Sequence, residues 1–248
     1  MYAVIGGSGL SQLPEFEITK RLVQRTPYGE PSGVLTVGRL VGREVVFLAR
    51  HGYGHTLAPH EINYRANMWA LAQLNIDGIV AVASVGGIRA DLGPNTLLVP
   101  DQIMDYTNGR RSTYFEGDSQ AVEHIDFTWP YDEGLRKSLI YAADTVGEQV
   151  VQGGCYACTQ GPRLETAAEI KRLARDGADI VGMTGMPEAA LARELGIAYA
   201  HLALVVNHAA GVGDSAHAIS HSNMANTVQQ GMGRVMGIVK SLVQLQGE

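Results

Sequence analysis

Apolar residues fall along the chain in two rhythms. Runs over 2–6 (YAVIG), 78–85 (GIVAVASV) and 197–206 (IAYAHLALVV) are apolar with little alternation, as strands buried on both faces are. Residues 34–40 and 44–49 predict a hairpin about Val41-Gly42-Arg43, and further strands are expected over 95–104, 150–159 and 179–182. Helical spacing marks 61–74 (Ile62, Ala66, Trp69, Leu71, Leu74), 135–146 and 165–175. A last helix places Met224, Val228, Met232, Val235, Val239 and Leu242 on one face. From Gly177 to Gly211 the pattern reads strand, tight turn, helix, strand, loop. Pro187 suits a first helical turn, Glu188 suits its positive end and Gly196 suits the C′ position. Residues 110–129 are polar, aromatic and irregular, long enough for a functional loop or a subunit contact. Strands alternating with helices predict an α/β fold, a mixed sheet with helices on both sides, in a single domain over 1–248.

Composition narrows the function classes. At 248 residues, 46% hydrophobic and 18% charged, the chain can bury a core unaided and is expected to be globular. A net charge of −6 argues against a nucleic-acid or anionic-membrane surface. The chain opens on a strand with no signal-peptide pattern and holds no apolar run of transmembrane length, so the cytoplasm is the expected location. Cys155 and Cys158 form a C-x-x-C pair, but zinc needs four ligands and no second pair exists, so a structural role is expected and no metal.

The chemistry gathers where strands end, the place where open α/β sheets bind ligands. Gly6-Gly7-Ser8-Gly9 follows the first strand, and such a turn can cradle an anion with backbone N–H groups and the Ser8 hydroxyl. A dinucleotide fingerprint would need a third glycine at position 12, where the chain has glutamine. Arg50 and His51 end the strand 44–49, and an arginine there suits a bidentate phosphate contact, although a solvated strand-end arginine is the plainer reading. Ala83-Ser84-Val85-Gly86-Gly87 ends another strand, where the Ser84 N–H could meet an anion. Met183 and Thr184 sit in the turn after 179–182; Met183 could equally be core. Glu165 opens a predicted helix, where a carboxylate is ordinarily a dipole or capping residue. Asn207, where the last apolar run stops, could be a turn residue.

Taken together, IGGSGL (5–10), ARHG (49–52) with His55, ASVGGI (83–88), QGPRLETAAE (160–169) and VGMTGMPEAALARELGI (181–197) resemble the trimeric purine nucleoside phosphorylases and methylthioadenosine phosphorylases over essentially the whole chain. The resemblance implies a partly barrel-like mixed sheet, a homotrimer, and phosphorolysis of a purine nucleoside with inorganic phosphate as co-substrate and no cofactor. It assigns phosphate to Ser8, Arg50, His51, Ala83, Ser84 and Thr184. It assigns the nucleoside to Met183, Leu164, Glu165, Asn207, His208 and Ala209, with Glu165 and Asn207 as the catalytic pair. Adenine-specific relatives carry serine and aspartate at these last two positions. A carboxylate instead accepts from N1–H of a 6-oxopurine, and an amide donates to N7. Where relatives place a histidine against the 5′-hydroxyl, the last helix offers Ala225, with Met224 and Val228 beside it, an apolar pocket suited to a methylthio group; His221 or Asn223 could still supply a polar contact. The expected reaction converts 5′-methylthioinosine and phosphate to hypoxanthine and 5-methylthioribose 1-phosphate. Inosine or guanosine phosphorolysis, methylthioadenosine phosphorolysis, a dinucleotide-dependent oxidoreductase and a non-enzymatic nucleoside sensor are the alternatives.

Overall fold

The computed structural model describes residues 1–7, 15–117 and 121–246, so Ser8 lies outside the described residues. Its strands are β1 (Tyr2–Gly6), β2 (Glu17–Leu22), β3 (Leu35–Leu40), β4 (Arg43–Ala49), β5 (Gly78–Gly87), β6 (Leu97–Val99), β7 (Gln102–Tyr106), β8 (Val150–Gln152), β9 (Cys155–Thr159), β10 (Ile180–Gly182) and β11 (Tyr199–His208). Its α-helices are α1 (Tyr64–Ala72), α2 (Glu133–Thr145), α3 (Ala167–Asp176), α4 (Glu188–Glu194) and α5 (His221–Leu245).

Side-chain alternation along the central strands divides the core in two. Ala3, Ile5, Ile79, Ala81, Ala203 and Val205 point one way, onto Met68 and Leu71 of α1 and Ala189 and Leu191 of α4. Val4, Val80, Val82, Leu202 and Leu204 point the other way, onto Leu135 and Leu139 of α2 and Val235, Val239 and Leu242 of α5. The sheet is therefore covered on both faces, which is why its middle strands read as unbroken apolar runs.

Two expected strands are each broken. Residues 95–104 form β6 and β7, parted at Pro100, which has no N–H to give a ladder. Residues 150–159 form β8 and β9, parted at Gly153 and Gly154, whose φ values of +99° and +118° favour glycine. The breaks lie level: β6 pairs with β8 and β7 with β9, both parallel. β6 is bonded to β11 and β9 to β10, and both β11 and β10 are bonded to β5. The twice-broken ribbon thus joins the two arms that leave β5 and makes that half of the sheet barrel-like. β2, which the apolar pattern did not mark because it is exposed along most of its length, adds an antiparallel edge to β3.

β5 is also where the sheet changes direction. One edge pairs with β11 along its length; the other pairs first with parallel β1 over Gly78–Ala81 and then with antiparallel β10 at Gly86 and Gly87. Residues 82–85 on that edge lie between the two partners. Such a switch opens a crevice at the carboxyl ends of the parallel strands.

Candidate functional site

A cavity of about 630 Å³ occupies this crevice. It is lined from the ends of four parallel strands: Gly7 after β1, Arg50 and His51 after β4, Ser84 in β5 and Asn207 in β11. Ser84 is exposed in a strand otherwise buried throughout, because it faces this opening.

Arg50 is not the solvated strand-end residue of the plainer reading; it is 1% exposed. The edge expected to grip phosphate bidentately is engaged within the protein instead. Nε donates to Glu188 Oε2 at 2.7 Å and Nη2 to Glu188 Oε1 at 2.8 Å. Nη1 donates at 3.0 Å to the carbonyl of Val82, in the gap between the β1 and β10 ladders. Glu188, expected as a dipole residue of α4, is fully buried and takes a further bond from the Tyr199 hydroxyl at 2.8 Å. Burial alone would depress the guanidinium, but the Glu188 carboxylate overrides it and holds Arg50 above the ordinary arginine range.

His51 is pushed down to about 4, chiefly by burial and further by the Arg50 and His55 charges, against the pull of its bond to Leu57. It is therefore neutral at pH 7. Nδ1 lies 2.9 Å from the Leu57 carbonyl, which can only accept, so Nδ1 carries the proton and Nε2 offers a lone pair. His55 stacks on it at 4.3 Å between ring centroids.

Thr184 is buried in the turn after β10, its N–H donating to the Tyr156 hydroxyl at 3.2 Å. Neighbouring Met183 packs over Gly161, where an added Cβ would lie 2.5 Å from the Met183 sulfur at a φ of +62°, so a side chain there would be strained and would displace Met183. Both Met183 and Leu164 line the cavity, as does Ala83.

Glu165 does not cap α3. Thr166 and Glu169 form the capping box, with Thr166 Oγ1 accepting from Glu169 N at 3.1 Å. That leaves Glu165 outside the helix, facing the cavity, with Oε1 accepting from the Thr159 hydroxyl at 2.6 Å. Asn207 belongs to β11 rather than to a following loop. A bulge skips Val206 in the ladder to β5, so that Val205 pairs with Val85 and Asn207 with Gly86. One amide N–H of Asn207 donates to the His208 carbonyl at 2.5 Å.

Two expected positions lie outside the lining. His208 does not line the cavity: it follows Asn207 on a strand and so points to the opposite face, where Gly93 and Gly213 lie against its ring. Ala225 is exposed on α5 and does not line it either. Met224, Val228 and Met232, at four-residue spacing, form the face that does, with Ile219 from the preceding segment. His221 and Asn223 are exposed and lie outside the lining.

Sequence reading missed Arg110, although it lies in the irregular segment expected as a functional loop or a subunit contact. Its guanidinium donates to the carbonyls of Met183 (2.9 Å), Met186 (2.6 Å), Thr159 (3.3 Å) and Gln160 (2.9 Å), binding the two loops that carry Glu165 and Thr184. It also missed Thr159, Ile219 and the buried role of Glu188. The cysteines are not poised for chemistry: burial pushes Cys158 up to about 12 and Cys155 up to about 11. Among the described residues, no helix is long and apolar enough to cross a membrane.

The profile of the phosphorylase superfamily matches residues 1–244. A probable S-methyl-5′-thioinosine phosphorylase of Pseudomonas syringae pv. tomato is 54% identical, over 95% of this chain and 95% of that protein. A 6-oxopurine nucleoside phosphorylase of Pyrococcus furiosus is 42% identical, over 98% of this chain and 92% of its own. Among solved structures, a methylthioadenosine phosphorylase from an antarctic soil metagenomic library superimposes with a TM-score of 0.91 at 38% identity, covering 98% of this chain and 85% of that one.

Proposed function

The chain belongs to the phosphorylase superfamily, and from that premise we propose that it is an S-methyl-5′-thioinosine phosphorylase. One observation carries the reading. A single cavity joins a carboxylate and a carboxamide, Glu165 and Asn207, to an apolar wall of Ile219, Met224, Val228 and Met232. Hypoxanthine donates N1–H to a carboxylate and accepts an amide N–H at N7, and a methylthio group needs no polar partner. The 54% identity to the Pseudomonas protein supports the same substrate.

In this reading the C1′–N9 bond breaks with its electron pair passing to the purine, which Asn207 and Glu165 stabilise. A phosphate oxygen then bonds C1′, and the proton that monohydrogen phosphate brought leaves with the purine. No enzyme-bound covalent intermediate forms; the protein positions the reactants and stabilises charge. Ser84 and Thr184 offer phosphate their hydroxyls, and the Ser84 and Ala83 backbone approaches it. Of the five guanidinium N–H groups of Arg50, three are engaged internally, which leaves two for phosphate. Neutral His51 accepts from the phosphate hydroxyl. Ser8 and Ala209 complete the expected contacts. Action as a homotrimer, in the cytoplasm and without a bound cofactor, belongs to the same proposal, and light scattering on the purified chain reads the assembly.

The experiment is purine release from methylthioinosine, inosine and methylthioadenosine, each with and without phosphate. Release should require phosphate and be fastest per unit concentration for methylthioinosine. Full-rate release without phosphate overturns phosphorolysis, and better turnover of inosine or methylthioadenosine overturns the substrate.

A further inference from the structure

We propose that Thr159 is a positioning residue that sets the choice of purine, by holding Glu165 in the form and orientation that accepts N1–H. The inference rests on the 6-oxopurine reading of Glu165 given above.

Thr159 is the last residue of β9, a strand with a partner on each side, Tyr106 beside Thr159 itself and Gly182 beside Cys158. Its backbone cannot drift, because Arg110 holds its carbonyl and that of Gln160. The hydroxyl has one proton and two acceptors in reach, Glu165 Oε1 at 2.6 Å and the Gly182 carbonyl at 3.3 Å. The shorter contact is the charge-assisted one, so the hydroxyl donates to the carboxylate. Oε1 is thereby occupied and the other oxygen is left to accept from the base.

A 6-aminopurine presents a lone pair at N1 and meets this site only if Glu165 carries a proton. The Thr159 hydroxyl would then donate to the neutral carbonyl oxygen of a carboxylic acid instead of to a carboxylate, and the charge-assisted share of that bond would be lost. The hydroxyl thus favours substrates with an N1–H and penalises those without, although it touches neither. Threonine and valine are near in shape, so removing the hydroxyl leaves packing almost unchanged.

The test compares wild type, Thr159→Val and Thr159→Ser on methylthioinosine, methylthioadenosine and an N1-methylated methylthioinosine, with unfolding midpoints as a control. Thr159→Val should lower the kcat/KM ratio of methylthioinosine to methylthioadenosine roughly five- to tenfold. Thr159→Ser should restore it, and the N1-methyl substrate should gain relative to methylthioinosine in the valine variant. A valine variant that folds and keeps the wild-type ratio overturns the inference. If instead wild type shows no 6-oxo preference, or Glu165→Gln leaves that preference intact, the underlying base reading fails, a result separate from the first.

Discussion

Arg50 and Met224 line one cavity, yet their surroundings have little in common. Arg50 is 1% exposed, at the end of a buried strand, with its guanidinium bonded to Glu188 and Val82. Met224 is half-buried in the first turn of α5, and His221, Ser222, Asn223 and Ala225 around it are exposed. At the strand ends each side chain is held by others, so a change there reaches the core. At the start of α5 the lining side chains are only partly buried, so a change there disturbs less of the core than one at Arg50. In the proposed reading phosphate is anchored in the sheet, and the 5′ group meets the less deeply packed wall.

That contrast can be broken most severely at Glu188. Glu188→Ala leaves a buried guanidinium unpaired and should cost about 3–5 kcal/mol in urea unfolding. The double change Arg50→Met with Glu188→Leu should recover most of that stability while phosphate-dependent turnover stays lost. A double variant no more stable than the single one would mean that the pair itself, not the uncompensated charge, sustains the fold. Next in size, Glu165→Ser combined with Asn207→Asp should move preference from 6-oxo towards 6-amino nucleosides by roughly a hundredfold, read as a ratio of kcat/KM values. On α5, Val228→His should narrow the gap between methylthioinosine and inosine by roughly tenfold, since a hydroxyl left unpaired costs about 1–3 kcal/mol. Its unfolding midpoint should stay near wild type, in contrast to Glu188→Ala.

The smallest effect concerns pH. His51 is held at about 4 in the folded protein, below its ordinary 6.5. The unfolded chain therefore takes up the proton first, and the contribution is intact above 6.5 and lost as pH falls towards 4. Fully buried His201, also held well below its ordinary value by burial, acts in the same direction. The unfolding midpoint should fall over this window, and less steeply in His51→Asn.

Where the sequence spoke clearly, a local rule sufficed. Asn207 stood out because an apolar run stops there, and Glu165 could have been freed from its capping role by noticing Thr166-Ala-Ala-Glu169, a complete capping box one residue later. The two expected positions outside the cavity lining differ from it in phase. His208 was grouped with Asn207, although neighbours on a strand face opposite ways, and Ala225 was placed one residue off the face that Met224, Val228 and Met232 share. Other features had no local signal at all. Arg50 and Glu188 are 138 positions apart, and nothing in either neighbourhood announces the pair. Likewise the breaks at Pro100 and at Gly153-Gly154 are visible one by one, but that they lie level, and so bend two strands together, is a property of the paired sheet.

Arg110 lies outside the cavity lining, yet it ties together carbonyls that are 27 residues apart, those of Thr159 and Met186. Two loops that share one guanidinium cannot loosen separately without orphaning its hydrogens. Their amides should therefore exchange with solvent as one cooperative unit, and the ordering entropy of the two loops is settled during folding rather than at each opening of the cavity.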